Sequence, residues 1–126
     1  MYERRVLQRD RRFWGIAYEV AKESTCRYQF GAVLAKGKTI RAAGCNQIKT
    51  HPLLQRYGNY CISIHAEART LLRAQKGTQG ATLYVARSHL VQKSSFPCPI
   101  CLDLARKAGV VAIVFRDNTS IRKIKL

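Results

Sequence analysis

Two short motifs restrict the fold of this chain more than any other feature: His65-Ala66-Glu67 and Pro97-Cys98-Pro99-Ile100-Cys101. Each opens a segment of helical character, and each is ambiguous alone. A histidine at a helix start usually has a structural role, and Cys-x-x-Cys serves redox pairs as well as halves of zinc ribbons. A ribbon needs a second cysteine pair, which Cys26, Cys45 and Cys61 do not supply. A redox pair leaves His65 and Glu67 without a role. Taken together, one imidazole and two thiols make three ligands of the kind zinc takes in tetrahedral geometry, with the fourth position kept for water as in catalytic sites. Two thiolates cancel the charge of the divalent ion, and helix N-termini favour thiolates. Glu67 lies two residues beyond His65 and is not needed as a ligand. A carboxylate beside a zinc-bound water can shuttle its proton. Any fold that builds this site must bring two helix starts together, and one Zn2+ per chain is the expected cofactor.

The rest of the chain supplies a scaffold of that kind. Its 126 residues suit a single domain, 1–126. Residues 3–23 place Val6, Leu7, Phe13, Trp14, Ala17, Val20 and Ala21 near one helical face, predicting a long first helix. Residues 30–35 and 39–44 read as strands of a hairpin turning at Lys36-Gly37-Lys38. Residues 45–62 show no period, and loops of that length in small domains usually carry function. Residues 64–75 form the second predicted helix, 81–86 a strand, 87–95 a polar, basic loop and 99–108 a third helix. Pro99 suits the first turn of that helix, and Gly109 suits its C-terminal cap. The β-branched run 110–115 reads as a buried strand. After the turn at Asp117-Asn118, residues 121–126 form a final edge strand, antiparallel because the turn is too short for a crossover. The pattern gives an α/β fold with a mixed sheet and helices on its faces.

Charge narrows the partners. Lys and Arg total 23 against 7 Asp and Glu, a formal net charge of +16, which favours polyanions. Single-stranded nucleic acid is the expected partner, with a solvated basic surface as the plainer reading. The charged N-terminus carries no secretory signal, and the longest apolar stretch, 109–115, is too short to span a bilayer. The expectation is no membrane contact and a cytoplasmic location. An odd cysteine count in that setting argues against a disulfide framework, and Cys26, Cys45 and Cys61 read as buried thiols.

The joint motif resembles that of the zinc-dependent cytidine and deoxycytidylate deaminase superfamily. The resemblance extends to Gly31-Ala32-Val33-Leu34, Gly44-Cys45-Asn46 and Thr82-Leu83-Tyr84-Val85, and so covers about residues 30–115. It implies a three-layer fold with a four- to five-stranded mixed sheet, helices on both faces and an antiparallel C-terminal strand. It implies His65, Cys98 and Cys101 as zinc ligands and Glu67 as the proton shuttle. Asn46 matches an asparagine that contacts sugar or base, with a turn role as the alternative, and the chain around Ala66, Pro97 and Cys98 matches groups that hold the base edge. Deoxycytidylate and tRNA deaminases add a helix and a parallel fifth strand after the fourth, which the short C-terminal turn here does not allow. The C-terminus resembles free cytidine deaminases and some deaminase toxins, yet His65 stands where free cytidine deaminases commonly have cysteine. The long 87–96 loop resembles that of small deaminase-like phage proteins, so a phage origin is among those implied.

Two substrate classes follow. Cytosine in single-stranded nucleic acid accounts for the charge, because a strand rewards many cations where a nucleotide needs few. Phe96, His51, Tyr57 and Tyr60 could then stack on bases, core packing being the alternative, while Lys49, Arg56, Arg87 and Lys93 could meet phosphates. Free deoxycytidylate or (deoxy)cytidine suits the motifs equally, and the basic surface would then serve oligomer contacts or other association. Adenosine in RNA and an inert zinc-containing nucleic-acid-binding module are the further alternatives, and Glu67 argues against the inert module. Monomer and homo-oligomer both remain open.

Overall fold

The apolar runs pair into one mixed sheet in the computed structural model, which describes residues 1–48, 64–88 and 94–126. The strands are β1 (Tyr2–Arg4), β2 (Phe30–Lys36), β3 (Thr39–Cys45), β4 (Thr82–Arg87), β5 (Ala112–Arg116) and β6 (Ile121–Lys125). The helices are α1 (Gln8–Ala21), α2 (Ala66–Ala74) and α3 (Pro99–Lys107). The strand order is β1-β6-β5-β4-β2-β3. Among the described strands only β4 and β5 pair in parallel, joined by the crossover through α3. The other neighbours are antiparallel.

Side-chain alternation divides the core into two layers. Val33, Ala35, Tyr84, Ala86 and Val114 face Phe13 and Ala17 of α1. Ala32, Leu34, Leu83, Val85 and Ile113 face the opposite way, towards Ala66 and Leu71 of α2 and Ala105 of α3. Each fully buried Leu or Ile side chain stabilises the fold by about 1.5–3 kcal/mol. Helix α1 lies so close to β2 that a Cβ on Gly31 would collide with the Ala17 carbonyl oxygen and the Ala21 nitrogen. Helices on both faces, and an antiparallel β6 after a short turn, are as the sequence predicts.

The sheet has six strands, not four or five, and the difference lies at the N-terminus. Tyr2–Arg4 pairs antiparallel with β6, in register Tyr2 with Lys125 and Arg4 with Lys123. β6 is therefore an interior strand between β5 and β1 rather than the sheet edge. Helix α1 begins at Gln8, not near Glu3. The Asp10 carboxylate accepts a hydrogen bond from the Leu7 backbone nitrogen at 2.9 Å, which fixes the helix start. Leu7 consequently sits outside the apolar face assigned to it and is exposed. Asp10 itself is buried, accepting from the Tyr84 hydroxyl at 3.0 Å and from Lys123 Nζ at 3.0 Å. One carboxylate thus ties α1 to β4 and β6.

The pairing of β4 with β5 runs from Thr82 and Ala112 as far as Tyr84 and Val114. Beyond that point Ser95 fills the gap. Its hydroxyl donates to the Val85 carbonyl at 2.8 Å and accepts from the Arg116 nitrogen at 3.0 Å, while its own nitrogen donates to the Arg116 carbonyl. The chain entering α3 is thereby pinned to the C-terminal end of the sheet, where ligand sites of open α/β sheets form.

Candidate active site

Both motifs sit where the sequence places them, at helix starts. His65 is the extended residue before α2, and Cys98 is the extended residue before α3, with Pro99 in its first turn. A bridge between Gln47 and Ile64 fixes the chain just ahead of His65. Because α2 and α3 pack on the same sheet face, their N-termini converge. His65 Nδ1 lies 3.6 Å from Cys98 Sγ and 3.5 Å from Cys101 Sγ, and the three donor atoms all lie within 4.8 Å of one another. Zinc–nitrogen and zinc–sulfur bonds of about 2.0 and 2.3 Å at the tetrahedral angle put nitrogen and sulfur about 3.5 Å apart. The donor set and its spacing fit one zinc ion.

The local electrostatics suit the same ion. The Cys98 thiol is held down to about 4, chiefly by the hydrogen bond from Cys101, with help from His65. Cys101 is pushed up in return by that hydrogen bond and by burial. His65 is raised by its hydrogen bond to Cys98. A divalent cation would let both sulfurs ionise, as zinc ligation requires. Glu67, in the first turn of α2, is raised above the ordinary carboxylate range by burial. It is 5% exposed. A carboxyl so placed takes up and releases a proton nearer neutral pH than a surface carboxylate does.

His65, Ala66, Glu67 and Cys98 form the wall of one pocket of about 550 Å³, together with Asn46 and Phe96. That volume is in the range of small-molecule sites. Phe96 packs edge-on against Phe115, with ring centroids 4.9 Å apart, so it serves both core and pocket. Pro97 is buried and is not among the described lining residues. Asn46 has a further task. Its side-chain oxygen accepts from the Phe30 nitrogen at 2.9 Å, and its amide donates to the Tyr28 carbonyl at 2.7 Å. It therefore splints the neighbouring strand entry rather than a turn of its own. Arg87 stands beside the wall, over the rings of Tyr28 and Phe30. His51, Tyr57, Tyr60, Lys49, Arg56, Lys93 and Cys61 lie outside the described residues. Of the remaining thiols read as buried, Cys45 is buried, but Cys26 is only half-buried and lines the pocket.

The sequence reading missed this second wall, made by Cys26, Arg27, Tyr28 and Phe30 on the approach to β2. Its one signal was an arginine interleaved with aromatics, Arg27-Tyr28-Gln29-Phe30, just ahead of a strand. Ser95 was also missed, since nothing about a serine in a polar loop marks it as a brace.

Among the described residues, three candidate zinc ligands lie beside a buried carboxyl, the pattern of a catalytic zinc domain rather than of a site closed by a fourth ligand. A profile of the cytidine and deoxycytidylate deaminase zinc-binding region matches residues 7–117, and the chain belongs to that family. Solved structures agree in fold. Cytidine deaminase from Burkholderia pseudomallei is similar with a TM-score of 0.69 at 17% identity, covering 91% of each chain. The apo dCMP deaminase of the cyanophage S-TIM5 has a TM-score of 0.59 at 23% identity, covering 81% of this chain and 77% of that one. The same phage enzyme, solved in complex with dCMP and dUMP, has a TM-score of 0.54 at 22% identity, covering 79% and 74%. No curated protein sequence matches significantly.

Proposed function

We propose that this protein is a zinc-dependent hydrolytic deaminase that converts cytosine to uracil, taking the base from single-stranded nucleic acid. The observation that carries the chemistry is Glu67, a buried carboxyl in the same pocket wall as His65 and Cys98. The reaction replaces the exocyclic amine of cytosine with the oxygen of water and releases ammonia. His65, Cys98 and Cys101 would hold a zinc ion, which would supply Lewis acidity and lower the pKa of water to about 7. Glu67 takes the proton that water gives up, passes it to the ring nitrogen and then assists the departing amine. Burial raises its affinity for a proton, which suits it to take one up and hand it on. Phe96 and Phe30 exclude water from the faces of the base.

The substrate class rests on the net charge of +16. Each neutralised phosphate of a single strand contributes about 0.7 to the negative slope of log affinity against log salt. Free deoxycytidylate is the second reading, favoured by the phage enzyme whose solved complex holds dCMP and dUMP. Parallel assays on deoxycytidylate, cytidine and a cytosine-containing single-stranded oligonucleotide decide between them. Oligonucleotide deamination that weakens steeply with salt is expected. Efficient conversion of deoxycytidylate with none of the oligonucleotide at low salt would overturn the nucleic-acid reading. Glu67→Ala should retain zinc while losing at least about a hundredfold in turnover. Near-normal turnover by that variant would remove Glu67 from the mechanism.

A further inference from the structure

Two guanidinium groups meet on one aromatic shelf at the pocket. Arg27, Tyr28 and Phe30 all line it, and Tyr28 is also exposed to solvent. Arg87 ends β4 directly opposite Phe30 in antiparallel register. Its guanidinium carbon lies 5.1 Å from the Phe30 ring centroid and 5.2 Å from that of Tyr28. The Arg27 guanidinium lies 5.3 Å from the Tyr28 centroid. Among the described residues neither arginine forms an ion pair.

Stacking on ring faces orients a guanidinium without using its N–H groups. Arg87 shows the consequence: its Nε is shielded from solvent and makes no hydrogen bond among the described residues. A guanidinium with one nitrogen dry and unmatched gains from an anion at its terminal nitrogens, which offsets the cost of its burial. The surroundings select the sign of that ligand, since Glu67 is the only acid among the described lining residues. A planar fork with free donors suits the paired oxygens of a phosphate. A shelf that merely packed would not need two guanidinium groups converging on one exposed ring.

We propose that Arg87 and Arg27, stacked on Tyr28 and Phe30, form a phosphate-recognition site that reads the phosphate on the sugar of the base held in the pocket. This rests on the deaminase reading for what fills the pocket. The phosphate is either the monoester of a free nucleotide or a diester of a strand, and both present the same oxygens. The site makes phosphorylated substrates preferred over nucleosides.

The test uses the zinc-loaded full chain and calorimetry at low salt, with deoxyuridine, dUMP and a trinucleotide carrying deoxyuridine at its centre. The wild type should prefer at least one phosphorylated probe over deoxyuridine. Arg87→Met retains apolar contact with the rings and should cut that preference by about tenfold to a hundredfold. Arg27→Ala should cut it in the same direction, and Arg106→Ala, at the far end of α3, should leave it intact. Loss confined to dUMP supports the monoester, and loss confined to the trinucleotide supports the diester. A wild type without the preference, or an equal preference in Arg87→Met and wild type with both probes, overturns the proposal. The two readings can fail separately. If the wild type deaminates no cytosine substrate but the dUMP preference depends on Arg87, the deaminase reading falls and the phosphate site stands. If deamination is intact and the preference does not respond to Arg87, the phosphate site falls alone.

Discussion

Asp10→Ala tests whether one buried carboxylate holds the two ends of the chain to the sheet. Asp10 is 1% exposed and accepts from three donors: the Leu7 nitrogen, the Tyr84 hydroxyl and Lys123 Nζ. Alanine leaves a largely buried ammonium and a buried phenol without their acceptor. Removing one member of a buried ion pair costs about 3–5 kcal/mol, much of it the penalty on the partner left behind. In a chain of 126 residues, 1 kcal/mol lowers the melting temperature by about 4 °C, so the expected fall is about 12–20 °C. The assay is thermal and urea unfolding of the zinc-loaded protein followed by circular dichroism. The same argument makes a second demand. Combining Asp10→Leu with Lys123→Met and Tyr84→Phe removes the charges and the hydroxyl together, and should recover most of the loss, since an apolar replacement of a buried pair is often neutral. A loss under about 1 kcal/mol for Asp10→Ala would refute the reasoning. So would a triple variant no more stable than the single one.

Cys101→Ser should lower zinc content below one per chain and reduce the melting temperature, because the ion links the starts of α2 and α3; full occupancy by elemental analysis with unchanged melting would contradict the ligand assignment. Asn46→Ala should cost about 1–3 kcal/mol by leaving the Phe30 nitrogen and the Tyr28 carbonyl without their partner, and should raise KM with zinc retained. Raised KM at unchanged stability would instead mean that Asn46 acts on substrate alone. Asp117 is held down to about 2 by the backbone N–H groups of Thr119 and Ser120. Its folded-state pKa is depressed, so its support of the β5–β6 turn is complete above the ordinary carboxylate value and is lost as pH falls towards about 2. An NMR titration of the Thr119 and Ser120 amides should show that transition, and Asp117→Asn should abolish it.

The candidate zinc site was legible in the sequence because its residues are local. His65 and Glu67 lie two residues apart, and Cys98 and Cys101 lie three apart. Each pair opens a helix whose start is marked by Pro99 or by the onset of an apolar period. The short, nearly continuous apolar runs 30–35 and 81–86 likewise mark strands buried on both faces, and the short turn at Asp117 dictates an antiparallel β6. Other features arise from partners far apart in the chain. Tyr2–Arg4 has neither apolar alternation nor burial, so only its pairing with β6 makes it a strand. Helix α1 starts at Gln8 because Asp10 turns back to Leu7, while its remaining bonds, to Tyr84 and Lys123, span more than seventy residues. Ser95 is a brace only because β4 and β5 part beyond Tyr84 and leave a carbonyl and an amide to be matched. Asn46 looks from sequence like a substrate contact or a turn residue, and the structure commits its amide to the adjacent strand entry. The shelf of Arg27, Tyr28, Phe30 and Arg87 exists only because β2 and β4 pair in register. Sequence patterns carry the chemistry of neighbours along the chain, and the sheet decides which distant donors and acceptors must satisfy one another.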